Sequence, residues 1–214
     1  MGFNNPDIPW RDLEAALSDR PPDRAEHGRR SHVPAGANGG DSPAWSPRRA
    51  AYEPPAELHR PATSAATPYA ELHCHSNFSF LDGASHPETL VEEAARLGLD
   101  ALALTDHDGL YGAVRFAEAA RALGVPTVFG AELSLELSRP QNGEADPEGA
   151  HLLVLARDPH GYARLASTLS SAHLAGGQKG KPDYSQTDWA AAHAGHWLVL
   201  TGCRKGTVPW ALID

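Results

Sequence analysis

His73 and His75 stand two residues apart in Leu72-His73-Cys74-His75-Ser76. Side chains alternate along an extended strand, so both imidazoles project from one face while Leu72 and Cys74 project from the other. Two nitrogen donors on one face can bind one metal or two adjacent metals, although an His-x-His pair alone is a weak signal. A second segment, Leu104-Thr105-Asp106-His107-Asp108, is apolar until its last residues and then abruptly polar. Either acid there could cap the following turn, but that leaves His107 unexplained. In a third, Val128-Phe129-Gly130-Ala131-Glu132, Glu132 interrupts an apolar run. A carboxylate in such a run is costly unless it is paired or metal-bound. Gly130, two residues earlier on the same face, would leave room beside it.

Three further residues are ambiguous on their own. Asp82, in Leu81-Asp82-Gly83, reads as an ordinary turn residue. His151 opens a strand after a polar loop. Cys203 follows an apolar strand, where it is either a soft ligand or a packed thiol. Taken together, strand after strand ends in His, Glu or Cys, a donor set that suits zinc, manganese or iron. Clustered cations of this kind acidify a bound water and neutralise charge on phosphoryl oxygens, so no nucleophilic side chain is needed for phosphate ester cleavage. The sequence contains no Gly-x-Ser-x-Gly elbow, no Gly-x-x-x-x-Gly-Lys-Ser/Thr loop and no Gly-x-Gly-x-x-Gly fingerprint.

The elements that must position these residues alternate. Strands are expected over 70–75, 99–105, 126–137, 151–156 and 197–202. Helices are expected over 86–97, 112–123, 160–174 and 186–194. Ser85 and Glu88 suggest a capping box with Pro87 in the first turn, and Gly98 marks the helix end. Val114, Ala117, Ala120 and Leu123 are expected to face inward. The alternation predicts an α/β fold with a largely parallel sheet, barrel-like, with function where strands end and loops begin.

Residues 20–68 are rich in Pro, Arg, Ser, Ala and Gly and read as a disordered linker. Before it, residues 1–19 hold a short helical stripe of Trp10, Leu13 and Leu17 behind Pro9. The globular part is residues 69–214. The chain has 18 Lys and Arg against 27 Asp and Glu, a net charge of -9, which argues against this segment being the main surface that grips nucleic acid. Bound cations would reverse that field locally. No apolar run follows Met1 and none approaches a membrane span, so the expected location is cytoplasmic, with Cys74 and Cys203 as thiols.

Leu72-His73-Cys74-His75-Ser76-Asn77-Phe78-Ser79-Phe80-Leu81-Asp82-Gly83, then Leu104-Thr105-Asp106-His107, then Gly130-Ala131-Glu132, resemble successive motifs of the polymerase and histidinol phosphatase (PHP) domain. The Phe-Ser-x-Leu-Asp-Gly form and Gly109-Leu110-Tyr111-Gly112-Ala113-Val114-Arg115-Phe116 are most similar to the version that begins bacterial C-family DNA polymerase α subunits. The N-terminal extension and Thr201-Gly202-Cys203-Arg204-Lys205-Gly206 resemble the error-prone, translesion branch. The resemblance runs from about residue 69 to the end. It implies a distorted barrel of seven β/α units holding up to three divalent metals (Zn, Mn or Fe). The family's ligands would fall on His73, His75, Asp82, His107, Glu132, His151 and Cys203. A ligand at the start of its strand, as His151 would be, implies that this strand runs antiparallel to its predecessor or sits where the barrel is irregular.

The family's last Asp-x-His motif is absent, as are polymerase palm, fingers and thumb. The chain is therefore expected to be an N-terminal fragment with an incomplete barrel. Its partners would be DNA through the full-length polymerase, the other polymerase domains, and mutagenesis or replication proteins, with no membrane. The site would act as a phosphoesterase, as a 3′–5′ exonuclease, or only as a stabilising metal centre. The alternatives are a free-standing phosphatase of the histidinol-phosphatase kind and a non-catalytic, metal-stabilised interaction module. An amidohydrolase, which also opens on His-x-His, fits the later motifs less well.

Overall fold

A computed structural model describes residues 52–59, 67–141 and 144–213. The expected helix within residues 1–19 and most of the expected linker lie outside the described residues. Residues 52–59 of that linker are nonetheless structured. Ala56–His59 forms a 3-10 turn, and Tyr52 packs on the core while its hydroxyl donates to Glu92 Oε1 at 2.7 Å. The folded part therefore begins well before residue 69.

The first strand, β1, is Ala70–Glu71, much shorter than the expected 70–75. The chain leaves the regular ladder after Glu71 but stays beside its neighbour, because Thr105 N–H donates to the Cys74 carbonyl at 2.9 Å. Cys74 N–H donates in turn to the Thr105 hydroxyl at 3.0 Å. Helix α1, Pro87–Leu97, begins on Pro87 and ends on Gly98 in the left-handed conformation, as expected. Its N-cap is His86 rather than Ser85, without a side-chain capping bond. Glu88 accepts from the buried Arg115, so a cross-helix ion pair holds the residue assigned to the capping box.

Strand β2 is Ala101–Leu104 and helix α2 is Ala113–Leu123. The buried face of α2 carries Ala113, Phe116, Ala119 and Ala120, whereas Val114 is 67% exposed. The inward stripe is thus rotated from the expected one, because Phe116 rather than Val114 fills the space against α1 and β2. Burying that ring contributes about 2 kcal/mol. Strand β3 (Thr127–Leu135), strand β4 (Ala150–Ala156), helix α3 (Pro159–Ala175), the short helix α4 (Trp189–His193), strand β5 (Trp197–Leu200) and helix α5 (Thr207–Ile213) complete the order.

One sheet runs β1-β2-β3-β4-β5 and curls into a half-barrel. The first three strands are parallel, but β3–β4 and β4–β5 are antiparallel. The largely parallel sheet expected from the alternation is therefore only half realised. Among the described residues no helix intervenes between β3 and β4. The antiparallel course expected from His151 is observed.

Two cores flank the sheet. One gathers Val91, Ala94, Leu102, Leu104, Phe116 and Val125 between α1, α2 and β2. The other gathers Ala131, Leu133, Val154, Leu165, Leu169 and Trp197 under α3. Strand alternation explains how β3 serves both a core and a site: Ala131 and Leu133 enter the second core, so Gly130, Glu132 and Ser134 turn to the opposite face. Gly130 does not leave room for a ligand. A Cβ there would lie 2.4 Å from the Val154 carbonyl oxygen and 2.7 Å from Leu155 Cδ2, so the glycine permits β4 to approach. Gly130→Ala should destabilise the fold by about 1–3 kcal/mol through overpacking, read as a lowered urea midpoint with unchanged slope.

Candidate metal centre

Glu132 anchors the site. It is 1% exposed, on a strand flanked by two core residues, and a carboxylate in that position requires charged or hydrogen-bonding partners. His73 Nε2 lies 2.7 Å from its Oε2, and His151 Nδ1 lies 3.1 Å from its Oε1. His75 Nε2 lies 2.9 Å from Oε2 but has no hydrogen bond there, so the contact is close without being aligned.

Three different pieces of backbone deliver these imidazoles. The parallel pairing of β2 and β3 resumes past the end of β2, where Asp108 N–H donates to the Glu132 carbonyl at 3.0 Å and His107 stands opposite Glu132. Across the antiparallel pair, Glu132 faces Leu153 and Ser134 faces His151. His151 is therefore the diagonal neighbour of Glu132 on the same face, within reach of a long side chain. The chain after β1 brings His73 and His75. The loop that follows folds back through Asn77 N–H to the Ser85 carbonyl and Asp82 N–H to the Ser79 carbonyl. That fold returns Asp82 to His75, with its Oδ2 against Nδ1 and 3.8 Å from His107 Nε2.

The imidazoles form a row: ring centroids are 5.0 Å apart for His73–His75, 4.6 Å for His75–His107 and 5.1 Å for His107–His151. Three overlapping groups have ligand atoms within 4.8 Å of one another: His73, His75 and Glu132; His75, Asp82 and His107; and His107, Glu132 and His151. Six of the seven residues expected as ligands thus come together. Cys203 does not. It is exposed in the turn after β5 and belongs to none of the groups. That turn meets the site where His151 N–H donates to the Lys205 carbonyl at 2.7 Å.

Burial pushes the Glu132 carboxyl up, but the imidazoles of His151, His73 and His75 crowded against it outweigh that and hold the group far below the usual carboxylate range. Burial lowers His75 and His151 as well, yet their contacts with Glu132 (and with Asp82 for His75) override it and raise both. His107 moves the other way, down to about 4, because burial and the neighbouring His75 both oppose its charge. It is therefore neutral at physiological pH, as a metal-ligating imidazole must be. Two nitrogens, His75 Nε2 and His107 Nδ1, are buried with no hydrogen-bond partner. Orphaned imidazole nitrogens beside shared carboxylates are the donor set a divalent cation would complete, so these residues fit a metal.

The supporting residues were the part least visible in the sequence. Asp106 caps no turn. It is 1% exposed and accepts from Ser76 N–H, Ser76 Oγ and Ser79 Oγ at 2.7–2.8 Å, clamping the loop that carries the first ligands to the end of β2. Ser79 Oγ also accepts from His107 N–H at 3.0 Å. Asp108 has φ 50°, and its Oδ1 accepts from Ser134 N–H and the Tyr184 hydroxyl. Its own burial raises the carboxyl. His173 Nε2 sits 2.8 Å from the Asp108 carbonyl oxygen. Nothing in the spacing of Tyr184, which comes after α3, announces that contact.

This fold and site belong to a known class: the chain is a member of the PHP domain family, matched over residues 71–214. It is 56% identical, over 99% of its length, to an error-prone DNA polymerase of Mycobacterium bovis. It is 52% identical over its whole length to one of Cutibacterium acnes. It spans 18% of the length of each of those curated relatives. Among solved structures it is similar to a proposed metal-dependent phosphoesterase from Bifidobacterium adolescentis, at 31% identity and TM-score 0.38 over 57% of this chain and 35% of the other. No helix among the described residues is long and apolar enough to cross a membrane.

Asp106→Ala should strand three buried donors and cost about 3 kcal/mol of stability. Chemical denaturation measures the loss, and proteolysis within residues 76–85 should accelerate with it.

Proposed function

We propose that this chain is the PHP domain of an error-prone-type DNA polymerase, and that its site hydrolyses phosphate esters with bound divalent metals. The observation that supports this most is the crowding of His73, His75 and His151 on the buried Glu132 carboxylate, with His107 neutral beside them. The ligands in this reading are His73, His75, Asp82, His107, Glu132 and His151, for up to three ions of zinc, manganese or iron. When bound, such ions acidify water and offset charge on phosphoryl oxygens.

The chain's own residues have distinct parts. Glu132 supplies the buried negative charge that attracts cations, and Asp106 fixes the loop that presents His73 and His75. Asp82, whose side chain is 32% exposed, opens the middle group towards solvent, where a phosphate can enter. The natural partners in this reading are DNA and the remaining polymerase domains, and the natural location is the cytoplasm.

A second reading, metal held only for stability, is favoured by one group alone: Glu132 and His151 are both nearly fully buried, as in closed structural sites. The group containing Asp82 separates the two. Asp82→Asn and His107→Ala should abolish manganese-dependent hydrolysis of bis-p-nitrophenyl phosphate. Glu132→Gln should lose bound metal as measured by elemental analysis, and should also cost about 3–5 kcal/mol because the buried histidines lose their counter-charge. A metal-loaded wild-type chain with no hydrolysis at all, but a raised unfolding temperature, would leave the stabilising reading standing.

A further inference from the structure

A cleft of about 900 Å³ opens beside His107, near the upper end of the roughly 300–1,000 Å³ typical of ligand sites. Phe78, Phe80 and Tyr111 line one part of it, and His173, Leu174 and Lys179 line another. Phe80 is 66% exposed and Tyr111 65%. Large aromatic rings exposed together need an explanation, since isolated exposed apolar residues are common but clustered ones mark binding surfaces. Nor is the Tyr111 ring loose. A Cβ on Gly109 would lie 2.2 Å from its Cε2, so the ring rests in space that only glycine leaves open. Its centroid is 6.3 Å from that of Phe78, with the planes 35° apart. A ring held in place yet facing solvent can accept a flat ligand without ordering cost.

We infer that Phe80 and Tyr111 form a stacking platform for the unpaired bases of a single-stranded nucleic acid whose phosphate reaches the adjacent metal centre. This rests on the phosphoesterase reading of that centre. A nucleotide joins its phosphate to a flat aromatic base through one sugar, so a platform beside His107 lies where the base of a bound strand falls. Base–aromatic stacking tolerates every base and suits a site without sequence preference. A small, highly charged phosphomonoester would call for a basic clamp. Among the described residues lining the cleft, Lys179 is the one Lys or Arg, and Glu144 lines it as well. The cleft thus offers faces rather than charge, and the chain's net charge of -9 leaves attraction of the phosphate to bound cations.

The test is fluorescence anisotropy of the full chain, manganese-loaded, with a short labelled oligothymidylate and an abasic strand of equal length. The wild-type chain should bind the thymidylate more tightly than the abasic strand. Phe80→Leu and Tyr111→Leu, which keep apolar bulk but remove the ring, should each weaken thymidylate binding by about tenfold and leave the abasic strand unchanged. Elemental analysis of the same samples separates the two claims. Normal metal content with no preference for bases, or with both variants binding like wild type, overturns the platform. A chain that binds no metal but still prefers the thymidylate through these rings supports the platform and overturns the metal reading instead.

Discussion

A carboxylate sealed into a strand is the constraint from which the rest of this domain follows. Glu132 lies between Ala131 and Leu133, both at 0% exposure, so strand alternation forces its side chain to the other face and away from water. Leaving it there alone would cost several kcal/mol. Each surrounding element supplies part of the compensation. The parallel β2–β3 pair sets His107 opposite it, the antiparallel β4 sets His151 diagonal to it, and the chain after β1 brings His73 and His75. A mixed sheet serves this purpose better than a purely parallel one. Because β4 runs back, its first residues rather than its last lie beside the polar end of β3.

Imidazole partners alone would not keep the arrangement. The imidazole row is supported from behind by two aspartates whose carboxylates belong to none of the candidate metal groups. Asp106 ties Ser76 and Ser79 to the end of β2, and Asp108 ties β3 and Tyr184 to the residue after His107. Side chains that ligate metals depend on such partners for orientation. Here the partners are recruited from three regions: the loop after β1, β3, and the segment after α3. The site is therefore a property of the folded half-barrel rather than of any one motif.

The strand-end histidines and Glu132 were legible because two simple rules expose them: alternation along a strand, and the cost of a charge in an apolar run. Helix α1 was legible from Pro87 and Gly98. Where the structure departs from local pattern, the reasons are tertiary. Glu88 looked like half of a capping box, but Arg115 from another helix holds it. Val114 matched a helical stripe, but the larger Phe116 took the inward position. Cys203 carried a ligand's chemistry at a strand end, yet the turn after β5 leaves it exposed. The roles of Asp106, Asp108 and Tyr184 come from pairings across 26 to 76 residues, which no local pattern encodes. Tyr52, inside a stretch rich in Pro and Ala, packs on the core through one aromatic ring that composition outvoted.

In the proposed function, imidazoles and carboxylates around Glu132, without a thiolate, make one metal centre. X-ray absorption on the zinc-loaded chain tests it most directly. Nitrogen and oxygen neighbours at about 2.0–2.1 Å, with the outer-shell pattern of several imidazoles, are the predicted result. A sulfur neighbour at about 2.3 Å, or a chain that retains no zinc after dialysis, would contradict the account.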